Sequence, residues 1–187
     1  ADGSVVTWGD SSKGGNSSAV AAALDGSLDV TQVFSSYYAF AALRADGSVV
    51  TWGNGPQGGN SSGVAAALDG SIDVTQVFST FGAFAALRAD GSVVTWGNSS
   101  WGGNSSAVAA ALDGSLDVTQ VFSTDSAFAA LRADGSVVTW GDSSKGGNSS
   151  GVAAALDGSL DVTQVFSSYG AFAALRADGS VVTWGDS

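Results

Sequence analysis

One stretch, Ala-Asp-Gly-Ser-Val-Val-Thr-Trp-Gly, occurs five times in this chain, beginning at Ala1, Ala45, Ala89, Ala133 and Ala177. The spacing is always 44 residues, with no insertion or deletion. A strict period of this length restricts the chain to a tandem array in which each unit buries its apolar surface against its neighbours. The 187 residues divide into units 1-44, 45-88, 89-132 and 133-176 and a partial unit 177-187. The four full units agree in 35 columns and differ in nine. The array begins and stops at arbitrary points of the unit, so it reads as a segment of a longer one.

Within a unit, Ala39–Arg44 and Ser48–Trp52 are β-prone runs flanking a short Asp-Gly loop, the signature of an antiparallel hairpin. Gly47 supplies the positive φ that such a turn needs. The loop Asp10-Ser11-Ser12-Lys13-Gly14-Gly15 is too rich in turn formers for regular structure. Next, Asn16-Ser17-Ser18 precedes the Ala-rich run Ala19–Leu24, which predicts an N-cap and one to two helical turns ended by Gly26. A distorted outer strand is the alternative. Val30–Ser35 predicts a further strand, joined through Ser36-Tyr37-Tyr38 to Ala39–Leu43.

Both alternating sets of Ala39–Leu43 are apolar or small, and Ser4–Trp8 places Val5 on one face and Val6 and Trp8 on the other, so both faces must be covered. Stacking each small sheet between copies of itself does this, as in the blades of a β-propeller. The small Ala41 and Ala42 suit a crowded inner strand. The expected fold is therefore all-β: three to four antiparallel strands per 44-residue unit with one short helix. An open superhelical or solenoid-like array is the alternative arrangement.

The run Ala-Leu-Arg-Ala-Asp-Gly-Ser-Val-Val-Thr-Trp-Gly-Asp, with Gly-Gly shortly after, resembles the RCC1-type repeat. Val-Thr-Gln-Val-Phe-Ser is similar to that family's Val-x-x-Val strand. The resemblance covers all four units and is most specific at Leu43–Gly53 and its equivalents. It implies four-stranded propeller blades, and it is to the long near-identical arrays of microbial surface proteins in particular. The family's Gly-His link before Ala-Leu is replaced by Ser-Tyr-Tyr-Ala-Phe and its variants, and the unit is shorter. The family's nucleotide-exchange and chromatin-docking activities rest on His-containing loops and basic segments that this sequence lacks. The resemblance therefore carries the fold and not the activity.

Composition narrows the function. The chain has 17 acidic residues, all Asp, against six basic ones, for a net charge of −11. No basic patch exists, so nucleic-acid binding is not expected. No apolar run is long enough to insert into a membrane. Cys, His and Met are absent, which excludes disulfides, thiol nucleophiles and His-based sites. No familiar nucleophile–base pair can be assembled, so no enzyme and no cofactor is expected.

Several recurring residues have two readings. Asp46 and its equivalents before Gly are carboxylates for a hard cation, or turn residues bonding their own backbone; turn chemistry is the reading adopted. Trp52 and its equivalents are stacking platforms or inter-unit core, and core packing is adopted. Trp101 differs by lying in a variable loop, where exposure is expected. Asn16, Asn60, Asn104 and Asn148 open Asn-x-Ser sequons and are candidate glycosylation sites, or caps and loops copied from one ancestor.

Variation is concentrated in two predicted loops. One holds Lys13, Gln57, Trp101 and Lys145 at one phase; the other holds Tyr37, Tyr38, Phe81, Asp125 and Tyr169. A fixed scaffold with changing tips diversifies a contact surface, and relaxed constraint does the same. The functional expectation is a non-enzymatic structural or adhesive repeat protein, extracellular or at the cell surface, self-associating as a filament or by ring completion. The alternatives are a propeller-type module for a protein or glycan ligand, and an engineered consensus repeat.

Overall fold

The computed structural model describes residues 2–186, and everything below concerns those residues. Four three-stranded antiparallel sheets follow one another. The first comprises β1 (Val30–Ser35), β2 (Ala39–Arg44) and β3 (Val49–Gly53); the second β4 (Val74–Ser79), β5 (Ala83–Arg88) and β6 (Val93–Gly97). The third comprises β7 (Val118–Ser123), β8 (Ala127–Arg132) and β9 (Val137–Gly141); the fourth β10 (Val162–Ser167), β11 (Ala171–Arg176) and β12 (Val181–Gly185).

The Asp-Gly hairpin forms where the sequence places it. Leu43 lies opposite Val49. The Gly47 N–H donates to the Arg44 carbonyl at 3.0 Å, and the Arg44 N–H to the Ser48 carbonyl at 2.9 Å. Gly47 has φ +74°, the left-handed region that favours glycine. The first strand pairs with the second through a register irregularity between Val30 and Gln32.

The expected short helix is present, as 3₁₀ turns without the expected side-chain cap. Ser18–Ala23 forms 3₁₀ turns broken at Val20, whose φ is −121°. The cap fails because Ser17 is used elsewhere: its hydroxyl bonds the Thr7 hydroxyl at 2.9 Å. Asn16 Oδ1 accepts the Ser18 N–H instead. At the far end the Leu24 carbonyl accepts the Val5 N–H at 2.9 Å. The same bond joins Val49 to Leu68, Val93 to Leu112 and Val137 to Leu156. Tied at both ends, the segment lies along the outer edge of the third strand, where a fourth strand would pair. There it buries Leu24, while half-buried Val20 packs on the sheet.

A second expectation also changes. First strands of successive sheets touch one another, β1 to β4, β4 to β7 and β7 to β10. They are therefore innermost, and the Ala-rich strand is the middle one. Its alanines serve the stacking of sheets. Ala39, Ala41 and Leu43 of the first sheet pack against Val77, Phe84 and Ala86 of the second. The same junction recurs between the second and third sheets and between the third and fourth. Ala39, Ala41, Ala83 and Ala85 have no exposed surface, so a larger side chain there would force the sheets apart.

The recurring tryptophans complete these junctions. Trp96 stacks on Phe84 with ring centroids 5.3 Å apart. Its indole Nε1–H donates to the Gly58 carbonyl at 3.0 Å, so both ends of the amphipathic ring are satisfied. Trp52, Trp140 and Trp184 repeat both contacts. Trp8 is the exception at 83% exposed, because no described strand lies beside it.

Candidate functional site

The two variable loops, 24 residues apart within a unit, meet at one end of the sheets. The β1–β2 link (36–38) and the loop after β3 (54–58) share that end because an antiparallel meander returns there. The Asn54 N–H donates to the Tyr38 carbonyl at 3.0 Å. Backbone bonds then run from sheet to sheet: Tyr37 N–H to the Phe81 carbonyl (3.2 Å), Phe81 to Asp125 (2.7 Å) and Asp125 to Tyr169 (2.9 Å). Residues at this one phase form a continuous rim on the innermost strands.

Side chains from both loops pack together along it. Tyr37 stacks on Phe81 at 4.7 Å and meets Tyr38 edge-on at 4.8 Å. Phe81 meets Trp101 edge-on at 5.1 Å. The Lys13 ammonium lies 4.3 Å from the Tyr37 ring centroid and donates to its hydroxyl at 3.2 Å. That bond to Tyr37 is the main reason the Lys13 pKa is raised. Lys145 repeats the pattern beneath Tyr169, at 5.3 Å, and also pairs with Asp186. Tyr37 and Tyr169 remain 54% and 71% exposed.

Trp101 is not the exposed residue expected from its loop. It is half-buried against Phe81, and its carbonyl accepts the Thr80 hydroxyl at 2.7 Å. Gln57 is half-buried beside Gly82, with its Oε1 lacking a hydrogen-bond partner among the described residues. Asp125 turns its carboxylate onto the Ser126 hydroxyl at 2.8 Å. The nine candidate contact residues thus lie along one rim, with Asp125 and Gln57 partly turned in. The sequence held one trace of this convergence, the pairing of Lys with Tyr at Lys13 and Tyr37 and at Lys145 and Tyr169, while Trp101 packs on Phe81 of the preceding unit.

The four sequon asparagines are exposed. Each Oδ1 accepts the backbone N–H two residues on, at 3.0 Å for Asn16 and 2.9 Å for Asn60. Asn104 and Asn148 do likewise.

The opposite end of the sheets carries the Asp-Gly turns and varies there only in Ile72, which stands where the other units have Leu. Asp46 Oδ1 accepts the Ser48 hydroxyl at 2.6 Å and the Ser48 N–H at 3.0 Å, which is turn chemistry. The Ser48 hydroxyl, with its amide, holds the Asp46 carboxyl below its usual 3.8, and Ser92 and Ser136 do the same for Asp90 and Asp134. A depressed folded-state value contributes stability above the unfolded pKa that is lost as pH falls through the folded one. Stability is therefore expected to decline on acidification below about pH 4. Ser92→Ala should move the Asp90 titration, followed by NMR, back up towards the ordinary carboxylate value.

No protein-family model and no curated protein sequence matches the chain. Solved structures do share its fold. Prp20p of Saccharomyces cerevisiae, the yeast RCC1, superposes with TM-score 0.58 at 17% identity over 84% of this chain and 44% of Prp20p. The ectodomain of the Physcomitrella patens receptor kinase CR4 gives 0.54 at 17% identity over 86% and 41%. Human WBSCR16 gives 0.51 at 20% identity over 84% and 48%. The sheets are RCC1-like propeller blades, each with three strands and 3₁₀ turns along its outer edge. The chain spans less than half the length of these neighbours.

Proposed function

We propose that this chain is a non-enzymatic, propeller-type binding module whose variable rim contacts a protein ligand. The observation that carries the reading is the convergence of both variable loops on one aromatic rim, while the other end of the blades varies only by Leu against Ile at residue 72. Exposed tyrosines over a rigid backbone offer large contact area at small entropic cost. A sugar platform is less well supported, because the Tyr37 ring already carries Phe81 and Lys13. The net charge of −11 speaks against a nucleic-acid partner. Among the neighbours, Prp20p is described with Gsp1p, histones and Kap60, which are proteins. The ectodomain neighbours support an extracellular or cell-surface location, and the absence of Cys is compatible with it.

Protein and glycan arrays probed with the chain test this. A protein hit is expected, weakened about tenfold or more by Tyr37→Ala or Trp101→Ala, with circular dichroism unchanged. A hit that survives both substitutions would place the contact elsewhere, and glycan hits alone would overturn the protein reading. A structural or adhesive role is the second reading, and the observation that favours it is that the outer faces of the first and fourth sheets keep Val33, Phe166 and Val181 exposed among the described residues.

A further inference from the structure

The fourth sheet turns a bare apolar face away from the third. It carries Phe166, Ala171, Ala173, Leu175 and Val181, and Phe166 and Val181 are 51% and 62% exposed. Three earlier copies of this face are buried in the chain itself. Ala39 and Ala41, Ala83 and Ala85, and Ala127 and Ala129 each lie under the following sheet. At the other end, Val33, Phe40 and Trp52 of the first sheet border a cavity of ≈ 300 Å³ beside Val5 and Trp8. In the later sheets the equivalent Val, Phe and Trp are covered by a preceding Ala-rich strand.

The two open ends are therefore the two halves of one interface, and the chain's own junctions show what fits each. We infer that a second copy of this chain docks head to tail, its first sheet seating on the fourth sheet of the first copy. The contact is heterologous, repeating the internal step from sheet to sheet. One competition must be resolved. Residues 4–8 duplicate 180–184 in sequence, and both claim the third-strand place in the joined blade. β12 holds its place by pairing with β11 from Leu175↔Val181 to Ala171↔Gly185. The segment 4–8 belongs to no strand, and its Val6 is 77% exposed. Residues 2–8 of the second copy therefore peel away. The Val181 N–H of the first copy then takes the second copy's Leu24 carbonyl, as Val137 takes Leu156 at 2.9 Å within the chain. This inference stands apart from the rim and its ligand.

Sedimentation equilibrium of the full chain over a range of concentrations tests it. The expected result is a mass rising above 18.3 kDa with concentration. Ala173→Glu buries a carboxylate in the joint but leaves the half-exposed site of the free chain tolerable; it should raise the dissociation constant about a hundredfold or more. Removing residues 1–8 takes away the competing segment and should lower the constant about tenfold. Val5→Ser, which loosens that segment without shortening the chain, should act in the same direction. A chain that stays monomeric would assign the face to a further repeat or an unlike protein and overturn the inference. Association unchanged by Ala173→Glu, or weakened by the truncation and by Val5→Ser, would overturn it too.

Discussion

Phe128→Ala is expected to lower the free energy of unfolding by about 3–5 kcal/mol. Phe128 is wholly buried between the second and third sheets, stacked on Trp140 at 5.3 Å. It also packs beneath Gly102, where any added Cβ would come within 2.6 Å of its ring. Truncation leaves a cavity walled by Ala83, Ala85 and Trp140. Small side chains on middle strands cannot move in to fill it, because the backbones are fixed by pairing on both edges. The repeat supplies its own control. Phe40 occupies the same position in the first sheet, makes the same stack with Trp52, and is only half-buried because no complete sheet precedes it. Phe40→Ala should cost about half as much. Urea denaturation followed by Trp fluorescence measures both. Equal losses would mean that the inter-sheet junction, and not the stack within the sheet, contributes little.

That comparison also shows what the sequence could and could not disclose. The Val30–Ser35 strand and the Asp-Gly hairpin were legible because their signals are local: β-branched runs, turn residues and a glycine at a positive φ. The Trp phase was legible as core because an aromatic at the end of an apolar strand has few other uses. The 3₁₀ turns were not, since Ala-rich composition favours an α-helix and only the sheet edge, through Leu24 and its equivalents, decides otherwise. Nor was the inner strand. Val30–Ser35 and Ala39–Arg44 both carry apolar residues on a strand pattern, and their order follows from contacts between sheets that are 44 residues apart. The rim was hidden for a related reason. A spatial blade runs from Val30 to about residue 73 and so takes its two variable loops from different sequence units. Lys13 meets Tyr37 and Trp101 meets Phe81 only once the meander and its neighbours are assembled.

The Asp-Gly end of the blades makes the last expectation. Gly91→Ala should destabilise the chain by about 2–4 kcal/mol, and Gly179→Ala by only about 1–2 kcal/mol. Both glycines follow Asp in the recurring turn, with φ +74° and +84°, so both alanines carry the same left-handed penalty. Their surroundings differ. An alanine Cβ at Gly91 would lie 2.7 Å from the Asp117 backbone and 2.6 Å from its carboxylate, while at Gly179 it meets nothing within 4 Å. Asp117 leads into β7, the innermost strand of the next sheet, and its carbonyl accepts the Ala133 N–H at 2.9 Å. The Val118 N–H bonds the Gly91 carbonyl at 2.9 Å, so the segment cannot retreat without breaking a bond. The turn that opens every unit therefore does two things. It reverses the chain, which any tolerant residue could do at moderate cost, and it lets the backbone leading into the next sheet pass at contact distance, which only glycine permits. Thermal unfolding of the two variants separates these roles. Equal shifts in midpoint would mean that the turn conformation alone demands the glycine, and a larger shift for Gly91→Ala would mean that the stacking of one sheet on the next demands it as well.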